Sequence, residues 1–369
     1  MWENAFKSEV GVTMTTQFRF FCRQVNPVNS PTSNLQGMTD ICSGLTILSL
    51  EAELTVDEKK LIYLRARYAG LTFCGCAHAV FVCKLVHSLK CILKRRTAAK
   101  ELYASKRRSE LSVGILGLGY LGKQLLLCLL KKTSIRPTQI KISTRNPAEE
   151  RVPPGVECFF NNRCLAAWAD VLFLCCLPSH LDRICADLHS HLQKHCLVYS
   201  FITAVPVNRL AERLGHSFVL KPQYQVEVCD TSDLWLSYSC VAEALSDPSL
   251  IEASCPLAMK GGITLGLNWV CGVLYSLLNI CTNICLGSSE TLFLINSIFA
   301  ESCMNNEPLN VESFIASTSF LHPNESFPWI SLVDAQTKKT PLLHFVMNSK
   351  PVQENIYTIY KSYLKSTIK

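Results

Sequence analysis

Charge is scarce in this chain. Only 18% of its 369 residues are Asp, Glu, Lys or Arg, and the formal net charge is +7. The basic residues gather mainly at Lys94–Arg108, which reads as a solvated helix end, so no nucleic-acid partner is expected. Metal-type spacing is missing as well. The twenty cysteines contain no C-x-x-C; their close sets are Cys74-Gly75-Cys76, Cys175-Cys176 and the Cys281/Cys285 pair. No histidine set accompanies them at zinc spacing, so no metal site is expected. Most sit in apolar segments, where a thiol behaves as a small hydrophobe. The opening MWENAFKSEV has no basic stretch leading into an apolar run. A secretory signal is therefore not expected, and a reducing, cytoplasmic compartment with free thiols is. The sequon Asn324-Glu325-Ser326 is then expected to be unused.

Apolar residues make up 49% of the chain, enough for a large core and two domains with extensions. One stretch organises them. Val113–Leu116 is an apolar run too short for a helix, and it enters Gly117-Leu118-Gly119-Tyr120-Leu121-Gly122. The leucine-rich, unbroken Lys123–Lys132 follows. This places a G-x-G-x-x-G where a strand turns into a helix, the context that gives the motif meaning. Gly117 permits the tight turn, Gly119 lets the backbone close on a pyrophosphate, and Gly122 lets helix pack on strand. The free N–H groups of the helix then face the phosphates. A second strand, Ile140–Ser143, runs into Ser143-Thr144-Arg145-Asn146-Pro147. No acid stands at its end to accept from ribose hydroxyls. Two hydroxyls and an arginine do, groups suited to a 2′-phosphate, so NADP(H) is the expected cofactor.

Along the chain, residues 1–50 read as a mobile leader, rich in Asn-Pro and Ser-Pro. Residues 51–108 form an N-terminal helical extension: Thr55 and Glu58 make a capping box opening a helix to about Tyr68. Gly70 and Gly75 are expected to break it, and a second helix runs from Ala77 to about Lys106 outside the nucleotide fold. The apolar Ala77–Leu93 carries Lys84, Lys90 and two histidines, which argues against a membrane span. Residues 109–232 form the nucleotide domain. Strands are expected at Val156–Phe160, Asp170–Pro178 and Cys196–Phe201, with helices at Ser179–Leu192 and Pro206–Leu214. Alternation of this kind, with near-continuous apolar strands, gives an α/β fold: a Rossmann-type doubly wound parallel sheet. Residues 233–304 are expected to be an all-helical domain. Within it Gly261–Leu286 lacks any charge, and its burial against a second copy in a homodimer is expected in preference to a membrane. Residues 305–369 form a polar tail closing in an amphipathic stretch near Gln353–Leu364.

The order of these motifs resembles the pyrroline-5-carboxylate reductase family. The matching residues are VGILGLGYLG from Val113, STRNP from Ser143, the strand ending at Cys175-Cys176-Leu177-Pro178, and Leu197–Ser200 followed by Phe201-Ile202-Thr203. The resemblance covers about Ser112 to Leu214. It implies that Leu116–Gly122, Ser143–Arg145, Asn162, Cys175–Pro178 and Phe201–Thr203 hold the cofactor. It also implies reduction of a small imine or carbonyl by NADPH, as in proline biosynthesis. The chain departs from the family where a lysine usually precedes the proline, here Leu177. The small turn after the next strand is bulkier here, as Phe201-Ile202-Thr203. A Met-Pro-Asn-Thr-Pro segment is replaced by Lys221-Pro-Gln-Tyr-Gln-Val226. The Ser-Gly-x-Gly-Pro-Ala-Tyr helix start that shapes the family's imino-acid pocket is missing, with Gly261-Gly262 and Gly266 as weak substitutes. Ser179, His180, Thr203, Lys221 and Lys260 are the titratable or polar residues weighed for chemistry, and the sequence assigns a catalytic role to none. Two readings stay open: a reductase, and a non-catalytic NADP-binding protein that has lost the pocket.

Overall fold

The computed structural model describes residues 54–100, 110–150, 152–227, 232–300, 308–316 and 322–366. The leader expected over 1–50 lies outside them. Six strands form one parallel sheet: β1 Val113–Leu116, β2 Ile140–Ser143, β3 Glu157–Phe159, β4 Val171–Leu174, β5 Leu197–Ser200 and β6 Val219–Leu220. Their order is β3-β2-β1-β4-β5-β6, the doubly wound order of a Rossmann domain, with its direction reversing between β1 and β4. Ile115 pairs with Ile142 on one side and Phe173 on the other. β1, β4 and β5 are buried along their whole length, as strands covered on both faces must be, and their sequences are accordingly continuous apolar runs. The expected strands are all present, three of them shorter than the apolar runs suggested. β6 was not expected; two residues make no readable pattern.

The largest departure from the sequence reading is the N-terminal helix. Val56–Lys100 is one continuous 45-residue helix, α1, with no break at Gly70 or Gly75. The capping box at its start is formed: the Thr55 N–H donates to Glu58 Oε2 at 2.8 Å and the Glu58 N–H to Thr55 Oγ1 at 3.3 Å. A mid-helix glycine costs about 1 kcal/mol relative to alanine. Burial of the side chains of Phe73, Val80, Leu85 and Leu89 contributes roughly 1.5–3 kcal/mol for each, so burial wins. Both glycines are close-contact points. A Cβ on Gly70 would press on Trp235 and Ile263, and one on Gly75 would lie 2.9 Å from the Phe201 ring. Further along, Lys90 Nζ pairs with Asp170 Oδ2 at 2.7 Å, at the start of β4. So α1 crosses the sheet from the carboxyl ends of its strands to their amino ends. It shares one face with α2, Tyr120–Lys132, in a core that includes Val113, Ile115, Phe173 and Tyr199. The other face is covered by α3 Asn162–Trp168, α4 Leu181–Leu188 and α5 Val207–Leu214, packed on Leu172, Leu174 and Val198. The helix expected to lie outside the nucleotide fold is thus one of its layers.

The remainder begins with an antiparallel ribbon, β7 Tyr224–Val226 against β8 Ile263–Leu265, enclosing α6 Ser232–Leu236, α7 Val241–Ala244 and α8 Pro248–Ala253. Next come α9 Leu267–Asn283, α10 Ser288–Ala300, α11 Val311–Phe314, α12 Leu332–Thr337, α13 Pro341–Asn348 and α14 Lys350–Lys365. The apolar stretch from Gly261 is not one helix. Gly261 and Gly262 have φ of 77° and 69° and turn the chain into β8. α9 is covered by its own chain: Leu274 and Leu278 are 2% and 0% exposed. Its apolar surface therefore gives no argument for a second copy. The polar groups on this helix serve the tail. Asn279 accepts from the Ile330 N–H and donates to its carbonyl. The tail expected as a polar appendage is core structure, with Ile359, Tyr360 and Leu364 of α14 buried. Lys84 of α1 caps the far end of α14, donating to the Tyr363 and Ser366 carbonyls, where a cation suits the helix dipole. Among the described residues one helix, Val56–Arg96, is long and apolar enough to cross a membrane, and 89% of its apolar window is buried inside this fold.

Where α1, β7, α8 and α14 meet, His78 Nε2 lies 2.8 Å from the Ser254 carbonyl and Nδ1 lies 2.7 Å from the Tyr224 hydroxyl. A carbonyl only accepts, so Nε2 carries the proton and Nδ1 accepts from Tyr224. Burial pushes the His78 pKa down to about 4. The unfolded chain, with histidine near 6.5, binds this proton across the window from about 6.5 to 4 while the folded chain does not. Stability is then complete above that window and falls as pH drops through it, by on the order of 3 kcal/mol from this residue. His78→Gln, which cannot titrate, should lose less stability between pH 7 and 4 than the unmodified protein in denaturant titrations. Equal losses would assign the acid limb to carboxylates.

Candidate functional site

The sheet reverses direction between β1 and β4, and the glycine turn stands there. The Gly117 N–H donates to the Ser143 carbonyl at 2.9 Å, and Cys175 N–H donates to the Leu116 carbonyl at 2.9 Å. Gly117 has φ of 98°, and a Cβ on it would lie 2.9 Å from the Cys175 carbonyl oxygen. Both conformation and space require glycine. A Cβ on Gly122 would collide with the Gly117 carbonyl oxygen, so the first turn of α2 can lie on β1 only without it. Gly119 is different. It caps α2 with φ of −70°, which any residue adopts, and a Cβ built on it meets nothing within 4 Å. Neither backbone strain nor packing explains this glycine. The position is open for a group outside the chain to approach the helix N-terminus, and a dinucleotide pyrophosphate fits that cradle.

The flanking residues divide by exposure. Leu116 and Leu118 are buried, Leu121 is half-buried and Tyr120 is exposed, its ring 5.9 Å from Tyr68 of α1. At the end of β2 the three expected residues separate. Ser143 is 1% exposed and its hydroxyl donates to Asn162 Oδ1 at 2.7 Å. Asn162 in turn donates to Asp187 Oδ2 at 3.0 Å. Ser143 and Asn162 therefore hold the strand end to α3 and α4, and their polar groups face each other. Arg145 is exposed and Thr144 half-buried, so these two remain for a 2′-phosphate. Sequence reading passed over Arg163, which is exposed beside Asn162 and paired with Asp187 at 3.7 Å. It adds a second cation to this corner. Lys123 of α2 and Glu150, 2.8 Å apart, tie the loop after β2 to the glycine turn.

Beyond the turn, the ends of β4 and β5 form the other half of the crevice. Phe201 N–H donates to the Leu174 carbonyl at 3.1 Å, setting Phe201–Thr203 beside Cys175–Pro178. Burial pushes the Cys175 thiol well up and Cys176 to about 11, so neither is a thiolate. Leu177, Pro178, Ser179 and Thr203 are exposed, His180 and Phe201 half-buried, and Ile202 buried. Phe201 lies between the Tyr199 ring, at 5.2 Å, and Gly75 of α1. Lys260 is not part of this crevice: it forms a surface pair with Glu252 at 2.8 Å, which raises its pKa.

Lys221 departs from the solvated lysine that its sequence context suggests. It is 5% exposed, and its ammonium points to the Thr203 carbonyl at 3.4 Å. No acidic partner within ion-pair distance occurs among the described residues. Burial lowers its pKa. Its backbone N–H donates to Gln336 Oε1 at 2.9 Å, and Asn268, in the first turn of α9, donates to the Gln336 carbonyl at 3.0 Å. One glutamine thus ties the Lys221 backbone to the first turn of α9, and the buried ammonium, reaching the Thr203 carbonyl, favours an anion. No local pattern signals this arrangement, because Lys221, Asn268 and Gln336 are far apart in the chain. Among the described residues no group of histidine, cysteine or acidic side chains could hold a metal ion.

Known proteins are similar to this chain. The family described as NADP oxidoreductase, coenzyme F420-dependent, matches residues 112–202, the segment from β1 to the turn after β5. Pyrroline-5-carboxylate reductase of Escherichia coli (strain K12) is 29% identical over 112 residues, which cover 29% of this chain and 41% of that one. A solved structure, pyrroline carboxylate reductase of Plasmodium falciparum with NADP bound, aligns with 12% identity over 69% of this chain and 98% of that one, at a TM-score of 0.27. Similarity to NADP-dependent oxidoreductase domain-containing protein 1 of Mus musculus extends much further: 36% identity over 340 residues, 87% of this chain and 92% of that one. A match of that length takes in α1, the sheet and the C-terminal helices together, and the chain belongs to the family of NADP-dependent oxidoreductase domain-containing protein 1.

Proposed function

We propose that this protein uses NADP(H), and that it reduces a small imine or carbonyl compound carrying an anionic group. The observation that carries the cofactor half is Gly119, a helix-capping glycine that no contact among the described residues requires. NADPH, when bound, supplies the hydride. The chain supplies position and charge: the N–H groups at the start of α2 face the pyrophosphate, and Arg145 and Thr144, with Arg163 nearby, receive the 2′-phosphate. Cys175–Pro178 and Phe201–Thr203 wall the nicotinamide half. Lys221, whose ammonium reaches the Thr203 carbonyl at the end of β5, holds the substrate's anionic group. A buried ammonium without an acid is costly, and an anionic substrate offsets that cost. The second reading, a cofactor-binding protein without catalysis, is favoured by one observation. The Phe201 ring fills the turn after β5 against Gly75, where the resemblance implies small residues. NADPH binding with no consumption across cyclic imines and carbonyl acids would select that reading.

Three substitutions test the parts separately. Arg145→Asp should lower the preference for NADPH over NADH by tenfold or more, since a charge-assisted contact contributes roughly 1.5–3 kcal/mol. Fluorescence titration of both cofactors measures this, and equal affinities in the unmodified protein would remove the 2′-phosphate assignment. Gly119→Val should leave the melting temperature nearly unchanged, because the Cβ position is open, while abolishing dinucleotide binding. A binding-competent valine variant would show that the cradle is not used. Lys221→Met should keep cofactor affinity and stability, because an unpaired buried cation gives way to an apolar chain. It should raise KM for a carboxylate-bearing cyclic imine about tenfold or more. An unchanged KM would take Lys221 out of the substrate site.

A further inference from the structure

A second cavity, of about 290 Å³, lies between α9, α10 and α14. It is built from none of the residues at the strand ends. Its walls are mainly apolar: Leu274 of α9, Phe293 and Phe299 of α10, Leu309, and Val352 and Ile356 of α14. It is an open cleft, with Phe293 exposed at its mouth, and apolar walls without partner atoms forgo dispersion contacts that a ligand would supply. It is about twice the size of the ~150 Å³ apolar cavity that takes up benzene.

Three polar residues line it, and they are not equivalent. Asn296 is fully engaged: its amide donates to the Leu309 carbonyl at 2.8 Å and its carbonyl accepts from the Leu309 N–H at 2.9 Å. The Ser297 hydroxyl donates to the Leu294 carbonyl of its own helix at 2.8 Å. Asn355 is the exception. It is 6% exposed and sits on the core-facing side of α14 with Val352, Ile356 and Ile359. Among the described residues its carboxamide has no hydrogen-bond partner. Its amide lines the cleft, so its hydrogen bonds are left to whatever occupies that space. The helix pattern would place an apolar residue here, so the asparagine answers to something other than packing.

We infer that this cleft binds a small neutral molecule, one ring in size, bearing a single hydroxyl or carboxamide group that pairs with Asn355. Ring-sized apolar volume follows from the cavity. Neutrality follows from the lining, which among the described residues contains no Lys, Arg, His, Asp or Glu; an ion would lie there without a counter-charge. A single group that both donates and accepts follows from the carboxamide, which offers one carbonyl and one NH₂. The site is independent of the dinucleotide crevice and of the reading of that crevice given above.

Benzyl alcohol and toluene are suitable probes, with binding to the full chain followed by ligand-observed NMR. Benzyl alcohol should bind the unmodified protein. Asn355→Leu should weaken it roughly fivefold, the value of one neutral hydrogen bond, while toluene binds as well or better. Ser297→Phe, which fills the cleft, should remove both. Because the amide has no partner to lose, Asn355→Leu should melt at the same temperature or higher. The proposal is overturned if the unmodified protein binds neither probe, or if benzyl alcohol is insensitive to Asn355→Leu. It also fails if Ser297→Phe still binds either probe, or if Asn355→Leu is strongly destabilised or does not fold, which would show that the amide has a structural partner.

Discussion

The structure depends on α1. A sheet whose strands are only two to four residues long is stable only with both faces covered, and its connecting helices cover one face and part of the other. The 45-residue α1 completes the cover, and its remaining circumference receives α6, α9 and α14. A helix buried on nearly all sides must be apolar nearly all round, which is why its sequence has the composition of a membrane span. Its polar side chains are placed where another element needs them. Lys84 closes the end of α14, Lys90 pairs with Asp170 at the amino edge of the sheet, and His78 joins β7 to the loop after α8.

The same placement shapes the site. α1 reaches the carboxyl edge of the sheet at Gly75, against Phe201, so the crevice is bounded on that side by a rigid helix. The weak edge strand β6 is finished by a side chain: Gln336 Nε2 donates to the Val219 carbonyl at 2.7 Å and Oε1 accepts from the Lys221 N–H. This blunts an open sheet edge. It also fixes the backbone of the buried Lys221 beside the start of α9. One residue far from the glycine turn in sequence therefore both finishes the sheet edge and fixes the backbone of a buried cation.

The local features were legible before the fold was known. The glycine turn, the strands at Val113–Leu116 and Ile140–Ser143, the capping box at Thr55 and Glu58, and the closing amphipathic helix each follow from short-range pattern. Within a handful of residues, backbone sterics and hydrophobic periodicity leave few alternatives. The motifs VGILGLGYLG and STRNP lie in the segment that matches the NADP oxidoreductase family model, while membership of the family of the mouse protein rests on a match that extends far beyond them.

Tertiary contacts decided the rest. Gly70 and Gly75 look like helix breaks in sequence and are contact points in the fold, because the burial gained along α1 exceeds their local cost. Ser143, expected at the 2′-phosphate, turns its hydroxyl inward to Asn162, and only the arrival of Asp187 from α4 explains why. Lys221 reads as a solvated lysine and is a buried cation, since its neighbours Thr203, Asn268 and Gln336 come from three separate segments. The sequence by itself determined the glycine turn, the strands and helix on either side of it and the closing helix, because those rest on neighbours along the chain. Which face each helix buries, which polar groups are already paired, and which stand open to a ligand were decided by contacts between residues distant in sequence, and no local pattern records those.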